Sequence, residues 1–287
     1  LDPKKYSSLG EVINFFLSEH ADLPAFSCFG KTISYGEVDD LSRRFADYLL
    51  TETSLQPGDR IAIQLPNILQ FPIVFFGATR AGLVVVNTNP LYTKNEMLHQ
   101  FKDSGVKGIV ILENFCDKLE HIIDETEIES VVVCRLGDLQ SPTKGFLINA
   151  GAKYVRKMVP AYNLPAAVYF SKTIKSPPLS ADYPGSGSSN DVALILYTGG
   201  TTGFAKGAML SHNNLIANMM QLRARCLLVI EDRKENILAP LPLYHSYAFL
   251  LHCLAMPLAG NHNILVTNPR DIAGLIKLWK GQPISGF

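Results

Sequence analysis

Short apolar segments alternate along this chain with stretches of helical periodicity, and this alternation constrains the fold more than any other feature. Val38, Leu41, Phe45 and Leu49 recur at helical spacing before the first clear strand pattern. Strands are predicted at residues 60–65, 84–86, 108–112 and 130–134, with a helix up to residue 81. Strands that alternate with helices of 10–15 residues are typical of an α/β fold with largely parallel sheets.

Helix starts and one linker divide the chain further. The pairs Ser34 with Glu37 and Thr93 with Glu96 have the spacing of capping boxes. Asn268 and Pro269 suit the cap and first position of a helix that carries Ile272, Leu275, Ile276 and Trp279 on one face. Small residues at 184–190 predict a linker. We therefore expect one subdomain at residues 1–183 and a second at 191–287.

Composition excludes several classes of protein. The 26 Lys and Arg residues balance 26 Asp and Glu residues, whereas a nucleic-acid-binding protein normally has a basic excess. Five scattered cysteines predict neither a disulfide framework nor a zinc site, and they suit a reducing cytosol. The longest apolar run, residues 247–260, contains His252 and Pro257 and is too short to span a bilayer, which needs about 20 apolar residues.

The segment from residue 191 to residue 222 carries the clearest chemical signal. A buried-strand pattern at 191–197 leads into a polar loop, a short apolar run at 208–210, and a helix that Ser211 can cap. Between Thr198 and Gly207 the loop holds four glycines, three threonines and one lysine. Glycines let backbone N–H groups approach an anion closely, while threonine hydroxyls and Lys206 add donors and charge. The loop therefore predicts a polyphosphate site, rather than a plain turn between strands.

Other catalytic motifs fit the sequence poorly. A Walker loop ends in Gly-Lys-Ser/Thr and opens a helix, whereas Lys206 precedes Gly207 and a strand. The dinucleotide fingerprint Gly-x-Gly-x-x-Gly and the Gly-x-Ser-x-Gly elbow of serine hydrolases do not occur. The cysteines have no recurring His or Asp arrangement nearby, so a cysteine nucleophile is not expected.

The stretch YTGGTTGFAKGAMLSHNNL resembles the phosphate-binding signature of adenylate-forming enzymes, the acyl-CoA synthetase superfamily. Gly199 stands at the second place, where Ser or Gly occurs, and Ala205 stands where Pro is usual. LQPGDRIAIQLPN, RAGLVVVNTNPLYT, LPLYHSYAF and LVTNPRDI resemble bacterial long-chain fatty-acid–CoA ligases more than coumarate ligases or luciferases. The implied fold is the layered α-β-α-β-α large N-terminal domain of acyl-CoA synthetases, incomplete in this chain.

The resemblance implies a reaction in two steps with ATP, Mg²⁺ and coenzyme A. A fatty-acid carboxylate attacks the α-phosphorus of ATP to give an acyl-adenylate and pyrophosphate, and the thiol of coenzyme A then displaces AMP. Lys206 and His245 are the implied catalytic residues, and Thr198 is the implied magnesium contact. The residues implied to bind the nucleotide phosphates are Thr198, Gly199, Gly200, Thr201, Thr202, Gly203 and Lys206.

His245 has two interpretations. In relatives the segment Leu241–Ser246 lies beside the acyl group and the adenylate, so His245 would orient the carboxylate. From the residues alone, a hydrogen-bonded histidine at a helix start is the more common arrangement, and the resemblance reverses that preference. Residues 247–256 are rich in Leu, Ala and Phe. They would line an acyl tunnel or form a plain core helix, and we favour the core for most of them.

A basic helix face adds an expectation about location. Lys153, Arg156 and Lys157 lie beside Val155 and Met158, which suits either contact with anionic lipid or, more commonly, a solvated face. We expect a cytoplasmic protein whose partners are fatty acid, ATP and CoA, with no nucleic acid. Peripheral contact with the inner face of the cytoplasmic membrane and a homodimer are left open.

Several family segments are missing from these 287 residues. The Tyr-Gly-x-Thr-Glu segment, whose Glu binds magnesium in relatives, does not occur, and residues 35–38 do not match it. The chain also stops within an apolar segment at 283–287, so we expect a piece of a longer protein with little turnover of its own. Robust pyrophosphate release from palmitate and ATP would contradict that expectation. The alternatives are a nucleotide- or lipid-binding module without turnover and an adenylate-forming ligase for another carboxylic acid.

Overall fold

The protein builds two β-sheets and packs helices between and outside them. The structure is a computed structural model, and it describes residues 5–178, 183, 187–198, 205–226 and 228–286. A seven-stranded sheet has the order β7-β6-β5-β3-β4-β8-β9, and a four-stranded sheet has the order β10-β11-β1-β2. The strands are β1 Pro24–Cys28, β2 Lys31–Ser34, β3 Arg60–Gln64, β4 Val84–Asn87, β5 Val106–Leu112, β6 Ser130–Cys134, β7 Val168–Tyr169, β8 Val192–Thr198, β9 Lys206–Ser211, β10 Asn236–Ala239 and β11 His262–Leu265.

The helices vary from one turn to five. They are α1 Leu9–Glu19, α2 Tyr35–Thr51, α3 Gln70–Arg80, α4 Lys94–Ser104, α5 Cys116–Glu120, α6 Pro142–Ala150, α7 Phe170–Thr173, α8 His212–Cys226, α9 Ser246–Phe249, α10 Met256–Leu258 and α11 Ile272–Lys280. A π-helical turn at Gly151–Val155 follows α6, and another at Leu250–Ala255 joins α9 to α10. The segment from 246 to 258 is therefore one helix with a π-turn in its middle.

Alternating side chains on each strand create the layers. In β4, Val85 faces the main core, whereas Val84 and Val86 face a second core with Met97 and Phe101 of α4. The main core also contains side chains from α1, α2, α3, α8 and the 246–258 helix, which fill the space between the two sheets. Because strands buried on both faces need apolar residues throughout, these strands read as continuous apolar runs in the sequence.

The outer face of the four-stranded sheet completes the architecture. Leu238 and Ile264 point to the side away from the main core, where they contact Leu275 and Leu278 of α11. The order of layers is therefore α11, the four-stranded sheet, the central helices, the seven-stranded sheet, and α4 with α5. The predicted α/β fold with α-β-α-β-α layers is confirmed. All neighbouring pairs in the seven-stranded sheet are parallel except β8 with β9.

The predicted helix caps are correct for α2 and α4 but not for α11. Both capping boxes form as predicted, at Ser34 with Glu37 and at Thr93 with Glu96. The predicted cap at Asn268 is wrong, because α11 begins at Ile272 and its cap is Asp271, whose Oδ1 accepts a hydrogen bond from the N–H of Gly274 at 3.0 Å. The apolar face predicted for α11 contributes Leu275 to a core, but Ile272 and Ile276 stay exposed.

Both sheets combine strands from before and after residues 184–190. Strands β8 and β9 extend the sheet begun by β3, and β10 and β11 extend the sheet begun by β1 and β2. The predicted linker therefore does not separate two sheets. The division into residues 1–183 and 191–287 stays a prediction about the chain.

Candidate functional site

Strands β8 and β9 form a β-hairpin, and they bring Thr198 and Lys206 together at its loop end. The two residues are the last register partners before the loop, and both side chains are exposed. The predicted order of strand, loop, strand and helix is confirmed, and Ser211 caps α8 by accepting a hydrogen bond from the N–H of Asn214 at 3.2 Å. The predicted phosphate-binding residues Gly199, Gly200, Thr201, Thr202 and Gly203 lie outside the described residues.

Helix α4, which packs on the outer face of the sheet, is hydrogen-bonded to this hairpin. The hydroxyl of Tyr197 donates to Oδ2 of Asp103 at 2.5 Å, and Nε2 of His99 donates to the carbonyl of Ala205 at 3.0 Å. Burial, followed by the hydrogen bond to Asp103, raises the pKa of the Tyr197 hydroxyl, which keeps it neutral and able to donate. These two hydrogen bonds join α4 to both ends of the loop that carries Lys206.

The ring of Tyr197 lies so close to the backbone of residue 207 that it restricts which residue can follow Lys206. The ring of Tyr197 lies over Gly207, where a Cβ would come within 3.0 Å of the ring and 2.9 Å of Ile195. A side chain at position 207 would crowd Tyr197 and Ile195, so the glycine after Lys206 has a structural reason as well as a chemical one.

His245 lies at the start of α9 and its side chain is exposed. The residue caps the helix through its extended backbone, and its side chain makes no cap hydrogen bond. Its ring lies 4.5 Å from the ring of Tyr244, centroid to centroid. The exposed imidazole therefore does not cap the helix through a hydrogen bond. Its role in orienting the substrate carboxylate stays a prediction.

Asn67 holds the loop that carries His245, and reasoning from the sequence missed it. Its side-chain nitrogen donates to the carbonyls of Ala239 and Leu241 at 3.0 and 2.8 Å, and its oxygen accepts from the N–H of Leu243 at 2.9 Å. Asn67 follows β3 and is 4% exposed. A polar residue directly after the carboxyl end of a buried strand was the available signal.

Two further loops converge on this edge of the molecule. Strands β4 and β8 are parallel neighbours, with Asn87 opposite Leu196, so they end at the same edge of the sheet. After β4 the chain reaches Tyr92, and the pKa of Tyr244 is raised first by burial and then by the neighbouring Tyr92. The structure therefore brings the loop after β4 beside the loop after β10.

Buried amides line the carboxyl ends of the central strands. Gln64 at the end of β3, Asn87 at the end of β4 and Gln100 of α4 are at most 4% exposed. The side-chain oxygens of all three, and the side-chain nitrogen of Asn87, have no hydrogen-bond partner among the described residues. A buried polar group without a partner is costly, so these atoms suit a bound water or a polar group of a ligand.

The described residues provide little for a metal ion by themselves. Within the described ranges no group of three or more His, Cys, Asp or Glu side chains could hold one. Thr198 offers one exposed hydroxyl, which fits Mg²⁺ only together with phosphate oxygens.

The surroundings of the cysteines do not favour a reactive thiolate. All five thiols are free, and burial raises the pKa of each, for Cys28 to about 11. A thiol with a raised pKa has little reactive thiolate near neutral pH. In the part of the chain that the structure describes, no helix is long and apolar enough to cross a membrane.

The curated relatives of this chain include long-chain-fatty-acid–CoA ligases and a coumarate–CoA ligase. A long-chain-fatty-acid–CoA ligase of Salmonella typhimurium is 41% identical over all 287 residues, which are 51% of that protein. One from Haemophilus influenzae is 42% identical over 279 residues, covering 96% of this chain and 50% of the relative. A more distant relative, 4-coumarate–CoA ligase 3 of Arabidopsis thaliana, is 28% identical over 266 residues, 91% of this chain and 42% of that protein. The chain spans about half the length of the curated relatives it matches.

Solved structures share the fold. A long-chain-fatty-acid–CoA ligase from Archaeoglobus fulgidus superposes with a TM-score of 0.73 at 23% identity, over 96% of this chain and 50% of that one. An anthranilate CoA ligase in complex with anthranoyl-AMP gives 0.77 at 14% identity, over 96% and 48%. The sequence model of the AMP-binding enzyme family matches residues 16–283. The chain therefore belongs to the family of AMP-binding enzymes.

Proposed function

We propose that the protein of which this chain is part is a long-chain fatty-acid–CoA ligase. It converts fatty acid, ATP and CoA into acyl-CoA, AMP and pyrophosphate through an acyl-adenylate. The observation that carries the proposal is the pairing of Thr198 with Lys206 at the loop end of the β8–β9 hairpin. Identity of 41–42% to bacterial long-chain ligases supports the choice of substrate over the 28% shared with a coumarate ligase.

The chain's own residues bind and orient in this proposal. The ammonium group of Lys206 and the hydroxyl of Thr198 bind the β- and γ-phosphates with Gly199, Gly200, Thr201, Thr202 and Gly203. Neutralising charge on the phosphates favours attack at the α-phosphorus, which is mainly a matter of electrostatics and position. His245 lies beside the carboxylate and orients it. Thr198 would also contact Mg²⁺, which supplies further positive charge on the phosphate oxygens when bound.

Binding of ATP to the chain tests this assignment. We expect Lys206→Ala to raise the Kd for ATP in the presence of Mg²⁺ by about 10-fold or more, which is about 1.4 kcal/mol. The free energy of unfolding should change by less than about 0.5 kcal/mol, because the side chain is exposed. Isothermal titration calorimetry and urea unfolding give the two values.

Lys277→Ala is the matched control, since Lys277 is an exposed lysine on α11, far along the chain from the hairpin. It should leave both values unchanged. Equal ATP affinity in Lys206→Ala and in the unsubstituted chain would refute the phosphate-binding role.

We propose that the protein works in the cytoplasm and meets the inner face of the cytoplasmic membrane, from which a long-chain acid is readily taken up. The basic segment with Lys153, Arg156 and Lys157 supports this contact.

A further inference from the structure

Large apolar side chains of α6 and the residues after it point into solvent. Phe146 is 71% exposed, Leu147 63%, Tyr154 73%, Val155 81% and Met158 45%. We call these five side chains the α6 surface. A scattered apolar residue on a protein surface is ordinary, but five large exposed ones within thirteen residues are typical of an interaction site.

The segment is anchored to the body by its small residues. Gly145 and Ala152, seven residues apart and hence on one side, are its buried members. Gly145 packs on Gly137 so closely that a Cβ on Gly137 would overlap the Gly145 backbone. The N–H of Gly137 also donates to Oδ1 of Asn149 at 2.9 Å. The large apolar side chains therefore face solvent, because the side of the helix that carries Gly145 and Ala152 packs against the rest of the protein.

The stretch of sequence that contains the α6 surface is basic and has no acidic residue. From residue 139 to residue 181 the chain has no Asp or Glu, although the whole chain is neutral. The basic residues of this stretch are Lys144, Lys153, Arg156, Lys157, Lys172 and Lys175. Lys153, Arg156 and Lys157 are exposed, and the described part of the chain gives none of them an ion pair with a carboxylate.

We propose that the α6 surface docks on an anionic lipid bilayer. Phe, Leu, Tyr and Val side chains enter the boundary between headgroups and acyl chains, while the surrounding Lys and Arg residues meet the lipid phosphates. This assignment rests on the membrane contact proposed above and names the surface that makes it. Helix α6 follows the carboxyl end of β6, which is parallel to its neighbour β5, and β8 also ends its parallel run at that edge.

A vesicle sedimentation experiment tests the proposal. The 287-residue chain is mixed with vesicles of pure phosphatidylcholine or with vesicles containing 30% phosphatidylglycerol, at low and at high salt. We expect at least about 5-fold more bound protein on the anionic vesicles, with loss of binding at high salt because surface charges are screened. The variant Leu147→Ser/Val155→Ser should lose most of this binding.

The control variant is Leu228→Ser/Val229→Ser. It removes the same two residue types at 75% and 82% exposure, but close in sequence to Glu231 and Asp232. It should bind anionic vesicles like the unsubstituted chain, and circular dichroism should show both variants folded.

The results separate the two levels of the proposal. If the unsubstituted chain does not bind anionic vesicles, the membrane contact itself is refuted. If it binds them but Leu147→Ser/Val155→Ser binds equally well, or the control loses as much, the assignment to the α6 surface is refuted. ATP binding, measured as above, is independent of both outcomes and continues to test the ligase function.

Discussion

Asn67 shows how one buried side chain joins parts of the molecule that lie far apart in sequence. It follows β3 of the seven-stranded sheet, and its amide holds the loop after β10 of the four-stranded sheet. Its own carbonyl accepts a hydrogen bond from the hydroxyl of Thr267 at 2.9 Å. The exposed His245 owes its position to a loop that this amide fixes.

We expect Asn67→Ala to lower the free energy of unfolding by about 3 kcal/mol. Two carbonyls and one N–H lose their partner together, and each unpaired buried group costs about 1–3 kcal/mol. Urea unfolding measures the loss. Asn218→Ala, which removes an exposed amide of α8, should change the value by less than about 0.5 kcal/mol. Similar unfolding midpoints for the two variants would show that the contacts of Asn67 are not stabilising.

At the scale of elements, the hairpin of β8 and β9 depends on one ring. Tyr197 covers Gly207 and reaches Asp103 of α4, so strand, helix and the lysine beside the loop are held by the same side chain. A side chain at position 207 would force the ring of Tyr197 or the side chain of Ile195 to shift.

Gly207→Val should therefore destabilise the protein by about 2 kcal/mol, the usual cost of overpacking. It should also weaken ATP binding, because the displaced ring no longer holds the hairpin on α4. Ala208→Val, at the next and exposed position of the same strand, should alter neither property. Calorimetry with ATP and urea unfolding measure both. An unchanged ATP affinity in Gly207→Val would mean that the ring does not position Lys206.

Elements that depend on local sequence were predictable, and those that depend on distant partners were not. The strand of residues 130–134 and the capping boxes at Ser34 and Thr93 follow from neighbours within a few residues. The cap of α11 was missed because Asn268 and Asp271 are both acceptable caps locally. The contacts of Asn67 span more than 170 residues, so no local pattern reveals them. The roles of Thr198 and Lys206 came from the loop and its resemblance, not from periodicity.

At the scale of the whole molecule, buried histidines make stability depend on pH. Burial lowers the pKa of His20, His212, His252 and His262, and the value is about 4 for the last two. Nδ1 of His252 lies 2.9 Å from Oδ1 of Asn263, to which it donates when the ring is neutral. For His252 and His262, the unfolded chain takes up a proton near pH 6.5, whereas the folded chain does so only near pH 4. Stability from these histidines is therefore present above pH 6.5 and is lost as the pH falls toward 4.

We expect His252→Gln to lose less stability on acidification than the unsubstituted chain. Between pH 6.5 and pH 4.5 the difference should reach about 2 kcal/mol, because one pKa unit corresponds to about 1.4 kcal/mol. Urea unfolding at several pH values measures it. The control His121→Gln, at an exposed position, should follow the unsubstituted chain. Parallel pH profiles for His252→Gln and the unsubstituted chain would contradict the assignment.

The pairing of β1 with β11 bears on how the protein is made. Ser27 and His262, hydrogen-bonded neighbours in the four-stranded sheet, are 235 residues apart. A ribosome adds about 5–20 residues per second, so the first strand waits roughly 10–50 seconds for its partner to emerge. During that interval the hairpin of β1 and β2 has an open strand edge, the kind of edge that can pair with another chain.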